Sequence, residues 1–162
     1  MVRIDPLGII LANDLVDFSS SLKIVEVVEE HLDGLKLGIP SMLENGRDHI
    51  KEIKKRTKIP LIADFKVADI GFMHKGSWSG TNSKIITKAA ELGFDYITFH
   101  PFPGMSSTKE AIYTAHKLGI QVLAIPYMTA EGAELFFSHP LDRNHISQIL
   151  EYDIDRKILE ES

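Results

Sequence analysis

The sequence of 162 residues is 44% hydrophobic and 25% charged, a composition typical of one soluble globular domain. Its formal net charge is −5 and its lysines are spread along the chain, so it lacks the basic stripe that nucleic-acid binding needs. It contains no cysteine, which excludes disulfides and thiolate metal sites. No apolar run is long enough to span a membrane and no signal peptide is recognisable, so we expect a cytoplasmic protein without membrane contact.

Five short apolar runs alternate with longer amphipathic segments, which predicts βαβ units and a parallel sheet. The runs are Gly8–Ala12, Gly34–Ile39, Pro60–Asp64, Asp95–Phe99 and Gln121–Ala124. Each is apolar on both faces, as Ile9 and Ile10 show in the first run, so all five are expected to be buried strands. Apolar residues near helical spacing predict the helices: Leu22, Val25, Val28 and Leu32; Leu43, Ile50 and Ile53; Ala111, Ala115 and Leu118; and a last helix over Ile146–Ile158.

The spacing of the runs predicts a (β/α)8 barrel of the TIM type, whose active site lies in the loops that follow the strands. The runs begin near residues 8, 34, 60, 95 and 121, and the third spacing exceeds the others by about nine residues. The extra residues fall in Gly71–Gly80, which we expect to be a loop insertion. An open doubly wound sheet is the alternative, but no G-x-G-x-x-G motif follows the first strand.

A closed barrel needs eight strands and usually about 250 residues. Since only five strand signals are present, we expect residues 1–162 to form a single, partial barrel domain of about five βα units. Such a sheet would leave two unpaired edges, which natural proteins avoid. Either the chain is part of a longer protein or a partner supplies the remaining units.

Charged residues occur at the carboxyl ends of the first three strands, where barrel enzymes place catalytic groups. Strand alternation would direct Asp64 and Lys66 into the barrel mouth, with Asp69 in the loop beyond. Lys36 lies within an otherwise apolar strand, and a buried ammonium group there requires an acidic partner. Asp14 adds a carboxylate at the same rim. A D-x-K pair alone is usually a rim ion pair, but this combination would hold a substrate carboxylate beside a fixed anion and then protonate the carbanion.

These charges belong to a series of motifs that covers nearly the whole chain. The series is Asp14, Lys36-Leu-Gly-Ile-Pro40, Asp64-Phe-Lys66-Val-Ala-Asp69-Ile, Thr81-Asn82, His100-Pro-Phe-Pro-Gly104 and Met128-Thr129-Ala-Glu-Gly132-Ala. In type and order it resembles the archaeal-type orotidine 5′-monophosphate decarboxylases. The resemblance implies a homodimeric lyase that converts orotidylate to uridylate in pyrimidine biosynthesis without a metal or another cofactor.

The resemblance also implies roles for individual residues, with Lys36, Asp64, Lys66 and Asp69 as the catalytic tetrad. Asp64 would favour loss of the orotate carboxylate, and Lys66 would stabilise and protonate the carbanion at C6. Much of the rate in this family comes from binding the remote phosphate group. The family's phosphate-binding glutamine loop and arginine, in strands six to eight, have no counterpart in this sequence.

Four further contacts follow from the same resemblance. Asp69 and Thr81 would reach across the dimer interface to the neighbouring subunit's site. Asp14 and Lys36 would hold the ribose hydroxyls. Thr129 stands where the family usually has a serine that contacts the pyrimidine.

Two other functions remain open. A magnesium-dependent sugar-phosphate decarboxylase or aldolase of the same suprafamily resembles the D-x-K-x-x-D segment but has a glutamate where this chain has Lys36. Lysine cannot ligate Mg²⁺, which favours the metal-free enzyme. The second is an inactive, truncated barrel remnant. The Gly71–Gly80 insertion could be a lid, an altered interface loop or a flexible excursion without function.

Overall fold

A computed structural model describes residues 8–131 and 133 of the chain. In chain order, the helices and strands are β1 (Ile10–Asn13), α1 (Phe18–Val28), a 3₁₀ helix (Glu29–His31), β2 (Gly34–Gly38), α2 (Ile39–Arg56), β3 (Leu61–Val67), β4 (Met73–His74), β5 (Ser77–Trp78), α3 (Thr81–Leu92), β6 (Tyr96–Phe99), α4 (Met105–Lys117) and β7 (Gln121–Ala124). The five expected strands are therefore present. The helix expected over Ile146–Ile158 lies outside the described residues.

Five of the strands form one parallel sheet in the order β1-β2-β3-β6-β7. Alternate residues of the central strands, such as Leu35, Ala63 and Ile97, pack in one apolar core with helix residues such as Ile50 and Ala111. Because side chains alternate along a strand, Lys36 and Asp64 lie on the opposite face of the sheet. The helices cover one face, and the charged residues belong to the other.

The expectation that all five strands are buried is wrong for most of the first strand and for the fifth, β7, none of whose residues is buried. Ile9 is 60% exposed and Ile10 is 42% exposed. β1 is at the edge of the described sheet and pairs only with β2. An edge strand has a neighbouring strand on one side only, so its side chains are less buried than those of a central strand.

The second helix also differs from its expected form, because it is interrupted at Gly46. This residue has φ of 60° and ψ of −149°, a conformation that residues other than glycine rarely adopt. The side chains before this break therefore point in a different direction from those expected for a continuous helix. Ile50 and Ile53 after it are fully buried, whereas Leu43 before it is 83% exposed. Leu118, which follows the last residue of α4, is also exposed.

The segment between β3 and α3 contains an ordered antiparallel hairpin, formed by β4 and β5. Its turn residues Lys75 and Gly76 both have positive φ, 49° and 76°, as in the type I′ turns that suit two-residue hairpins. Before the hairpin, a Cβ atom at Gly71 would lie 2.2 Å from backbone atoms of Ser106. Only glycine allows this close approach to the start of α4, so packing explains the glycine at this position.

A buried polar cluster joins the end of β1 to the first two helices. Asn13 Nδ2 donates to the carbonyl and hydroxyl oxygens of Ser21 at 3.2 and 2.9 Å. His49 is hydrogen-bonded to Ser21 Oγ at 2.8 Å and to Ser41 Oγ at 3.0 Å. Burial lowers the pKa of His49, which keeps the ring neutral. The cluster fixes the strand end from which Asp14 projects.

Candidate active site

Asp64 is at the centre of a charged cluster on the sheet face opposite the helices. Its Oδ2 accepts a hydrogen bond from Lys36 Nζ at 2.9 Å, and its Oδ1 accepts one from Lys66 Nζ at 2.9 Å. The Thr98 hydroxyl also donates to Oδ1, at 3.0 Å. The Asp64 side chain is 6% exposed, whereas those of Lys36 and Lys66 are 32% and 40% exposed. A buried carboxylate is thus held by two ammonium groups that solvent reaches.

Three adjacent strands bring these groups together, but β3 is irregular within the cluster. It continues to Val67 instead of ending at Asp64, and its register against β6 shifts between Ala63 and Val67. Lys66 lies in this bulge with φ of 47°, a left-handed conformation that is uncommon for residues other than glycine. The simple alternation expected from the sequence is therefore interrupted, although the Lys66 ammonium still reaches Asp64.

The surroundings of Asp64 act on its pKa in opposite directions. Burial raises the pKa of Asp64, while hydrogen bonds from Lys66, Lys36 and Thr98 and the charge of Lys36 lower it. The hydrogen bonds and charges together outweigh burial, so the pKa of Asp64 lies below its ordinary value. The carboxylate stays ionised at neutral pH despite being buried.

Asp14 lies at the same rim of the sheet. A Cβ atom at Gly38 would be 2.9 Å from Asp14 Oδ1, so the Asp14 carboxylate rests against the α-carbon of Gly38. Gly38 is paired in register with Asp64. The glycine therefore leaves room for a second carboxylate beside the charged cluster.

Hydrogen bonds to the backbone of Asp69 hold this residue in place. Asn82 forms two hydrogen bonds with it: the Asp69 N–H donates to Asn82 Oδ1 at 3.0 Å, and Asn82 Nδ2 donates to Asp69 O at 2.9 Å. The Ser107 hydroxyl also donates to Asp69 O, at 2.5 Å. Asn82 and Ser107 are both fully buried. Within the described part of the chain, the Asp69 carboxylate forms no ion pair with either lysine of the cluster, so three of the four expected tetrad residues are in contact.

The remaining expected residues lie outside these contacts. Thr81 is the exposed first residue of α3, and Thr129 is an exposed residue in the segment after β7. Neither side chain is hydrogen-bonded to the Asp64 cluster within residues 8–131.

Sequence reasoning missed Thr98, which contacts both Asp64 and Lys66. The available signal was a hydroxyl group within the apolar strand Tyr96–Phe99. Like Lys36, a buried polar side chain in such a strand needs a hydrogen-bonding partner. The partner could not be deduced because the strand that neighbours β6 is set by the fold.

Residues 8–131 and 133 contain neither a further cluster of ligating side chains nor an apolar helix of membrane-spanning length. No group of three or more His, Cys, Asp or Glu side chains in these ranges is arranged to hold a metal ion. None of the described helices is long and apolar enough to cross a membrane.

A model of the "Orotidine 5'-phosphate decarboxylase / HUMPS family" matches residues 8–152. The chain belongs to this family. The resemblance expected from the sequence motifs is confirmed. Among the relatives of this family member, orotidine 5'-phosphate decarboxylase of Methanocaldococcus jannaschii is 38% identical over 135 residues, which are 83% of this chain and 59% of the relative. That of Pyrococcus abyssi is 35% identical over 133 residues, 82% of this chain and 57% of the relative.

Solved structures of the family share the fold. The M. jannaschii orotidine 5'-monophosphate decarboxylase in complex with the inhibitor BMP has a TM-score of 0.74 and 37% sequence identity, and the match covers 85% of this chain and 59% of that one. The Pyrococcus horikoshii enzyme has a TM-score of 0.71 and 29% identity, covering 86% and 60%. The expected barrel-type fold with about five βα units is confirmed, and the chain spans about three fifths of the length of these relatives.

Proposed function

We propose that this chain carries the catalytic charges of an orotidine 5′-phosphate decarboxylase, which converts orotidylate to uridylate in pyrimidine biosynthesis. The observation that carries the proposal is the ionised, buried Asp64 held between the ammonium groups of Lys36 and Lys66. Membership of the family supports the same activity. The cluster supplies three of the four charges proposed for the chemical step.

In the proposed reaction, the substrate carboxylate binds next to Asp64, and repulsion between the two anions favours departure of CO₂. The bond between C6 and the carboxyl carbon breaks, and its electron pair stays on C6. The ammonium group of Lys66 stabilises this carbanion and transfers a proton to it, which produces uridylate. Lys66 then regains a proton from solvent, which reaches its 40% exposed side chain. Preorganised charges that act more strongly on the transition state than on the substrate lower the barrier of this step.

We infer that the reaction needs no metal ion. Both carboxylate oxygens of Asp64 accept hydrogen bonds from ammonium groups, and two cationic neighbours oppose the approach of a divalent cation. The lysine at position 36 is therefore hard to reconcile with a magnesium-dependent site.

We also propose a homodimer in the cytoplasm, in which Asp69 and Thr81 of one subunit complete the site of the other. The backbone clamp on Asp69 supports this arrangement, because it orders a carboxylate that is not paired with the lysines of its own chain in the described structure. Asp14 and Lys36 are proposed to bind the ribose hydroxyls, and Thr129 the pyrimidine.

The loss of orotidylate absorbance, measured with and without a magnesium chelator, tests the proposal. Wild-type turnover should be insensitive to the chelator. Lys66→Ala should lower kcat by about 10²- to 10⁴-fold, the usual contribution of a positioned proton donor, with the fold retained by circular dichroism. Lys58→Ala, at an exposed site outside the cluster, is the matched control and should retain wild-type activity.

Each alternative predicts a different outcome. Retained activity in Lys66→Ala would refute the role of Lys66. Orotidylate turnover that the chelator abolishes would refute the metal-free mechanism. A folded wild-type chain without orotidylate turnover would refute the proposed activity, and a sugar-phosphate assay with and without Mg²⁺ would then separate the magnesium-dependent enzyme from an inactive remnant.

A further inference from the structure

Thr98 joins the backbone of Lys66 to the carboxylate of Asp64. Its hydroxyl oxygen accepts a hydrogen bond from the Lys66 N–H at 2.9 Å, and the hydroxyl lies 3.0 Å from Asp64 Oδ1. The Ala63 carbonyl, at 3.4 Å, is a more distant acceptor. Because one hydroxyl has a single proton and the amide must be the donor, the proton of Thr98 is directed towards Asp64. Thr98 is 4% exposed, so water has little access to replace these bonds.

The bulge in β3 explains why this hydroxyl is needed. Lys66 is in the left-handed region, and the ladder between β3 and β6 shifts register around it. Its N–H is therefore bonded to a side chain of β6 instead of a backbone carbonyl. A buried N–H without an acceptor is costly, and a residue at positive φ persists only where its surroundings enforce it.

We propose that Thr98 is a positioning residue of the active site, which holds Lys66 in its bulged conformation and fixes the Asp64 carboxylate between the two lysines. This inference rests on the proposed decarboxylase function for its catalytic consequence, but its structural content is independent of turnover. Among the described residues, the charged groups that contact Asp64 are Lys36 from β2 and Lys66 from β3, and Thr98 is the neutral donor from β6. One residue on a third strand thus sets the geometry of both reacting charges.

The experiment replaces Thr98 and follows the titration of the Asp64 carboxyl carbon by ¹³C NMR alongside steady-state kinetics. Thr98→Val and Thr98→Ala should raise the Asp64 titration midpoint, because a donor to the ionised form is lost. They should lower kcat by about 10- to 100-fold, the factor expected for one hydrogen bond to a charged group, while KM changes by less than about threefold. Thr98→Ser keeps the hydroxyl and should restore both properties.

A matched control and a wild-type measurement complete the test. Thr87→Val removes a hydroxyl that bonds to the Ser83 carbonyl within α3, and it should leave the Asp64 midpoint unchanged. In the wild-type protein, the Lys66 amide should be protected from hydrogen exchange. An unchanged midpoint in the hydroxyl-free variants, a Thr98→Ser variant that behaves like Thr98→Val, or a rapidly exchanging Lys66 amide would overturn the inference. Absence of turnover in wild type would count against the proposed function alone, since the NMR results still decide the role of Thr98.

Discussion

Asp64 accepts hydrogen bonds from the ammonium groups of Lys36 and Lys66 while only 6% of its side chain is exposed. A carboxylate with this little solvent would normally take up a proton, but here the charged form is stabilised by its donors. The contact with Lys66 that helps keep Asp64 ionised also places the proposed proton donor beside the carboxylate. At the scale of single residues, stability and the proposed chemistry therefore depend on the same contacts.

This coupling predicts how stability depends on pH. The pKa of Asp64 is lowered from its ordinary value of 3.8, so its contribution to the free energy of unfolding is present above that pH and is lost as the pH falls through the folded-state value. The difference in unfolding free energy between wild type and Asp64→Asn should be constant near neutral pH and should shrink below about pH 4. Urea unfolding at a series of pH values measures it.

Asp48→Asn is the matched control for this prediction. The Asp48 side chain is 84% exposed and forms an ion pair with Lys51 one helical turn away. A surface ion pair of this kind contributes little to the free energy of unfolding. The difference in that free energy between wild type and Asp48→Asn should therefore hardly change with pH. A difference for Asp64→Asn that stays the same down to pH 3 would contradict the prediction.

At the scale of elements, Glu110 of α4 supplies the cap that α3 lacks. The N-cap position of α3 is Gly80, which has no side chain to bond the free amides of the first turn. Glu110 Oε1 instead accepts from the backbone and hydroxyl of Ser83 at 3.1 and 2.6 Å, and Oε2 accepts from the Phe72 N–H at 2.9 Å. Glu110 is fully buried and lies at the positive end of the α3 helix dipole. One carboxylate thus fixes both α3 and the base of the hairpin.

Replacing this carboxylate by an amide should destabilise the fold. In Glu110→Gln the amide nitrogen cannot accept a hydrogen bond, so at least one of the donors on Ser83 and Phe72 loses its partner. We expect a loss of about 1.5–3 kcal/mol in the free energy of unfolding, the range for hydrogen bonds to charged groups. The Phe72 and Ser83 amides should also exchange faster with solvent. Urea unfolding and native-state hydrogen exchange measure the two effects.

Glu91→Gln provides the comparison, because Glu91 is an exposed residue of α3 that pairs with Lys88. Loss of the Glu91 charge should lower the free energy of unfolding by less than about 0.5 kcal/mol. Equal losses in the two variants would show that burial of Glu110 contributes nothing beyond a surface charge.

The strands and helices were predictable to the extent that they depend on local pattern. All five strands of the parallel sheet lie within a few residues of their expected bounds, because short apolar runs between amphipathic segments have few alternatives. The orientation of Leu43 was not predictable in this way. Its spacing from Ile50 suits a continuous helix, and the break at Gly46 depends on how the two halves of α2 pack.

At the scale of the whole molecule, the proposed dimer predicts complementation between two inactive variants. Lys66→Ala and Asp69→Ala alter residues that should meet only across the interface. A mixed dimer would contain one site with both mutations and one site with neither. Refolding the two variants together in equal amounts should therefore restore about a quarter of wild-type activity, as expected for random pairing.

The pair Lys66→Ala and Asp64→Ala is the control for complementation. These two residues contact each other within one chain, so every site in a mixed dimer lacks one of them and activity should stay at background. If the Lys66→Ala and Asp69→Ala mixture also stays at background, Asp69 does not act across an interface. Analytical ultracentrifugation of the same samples establishes whether dimers are present.

The sequence by itself determined the family, the parallel α/β architecture and the placement of charges at the ends of strands, because these follow from local periodicity and from motif order. It also indicated that Lys36 needs an acidic partner, since an isolated ammonium group in an apolar strand is unfavourable. Tertiary structure decided which groups meet. The bulge at Lys66 and the bond from Thr98 to Asp64 exist because β6 lies beside β3, and that contact joins residues more than 30 positions apart in the chain. No local pattern encodes such a pairing, because it depends on the order of strands in the folded sheet.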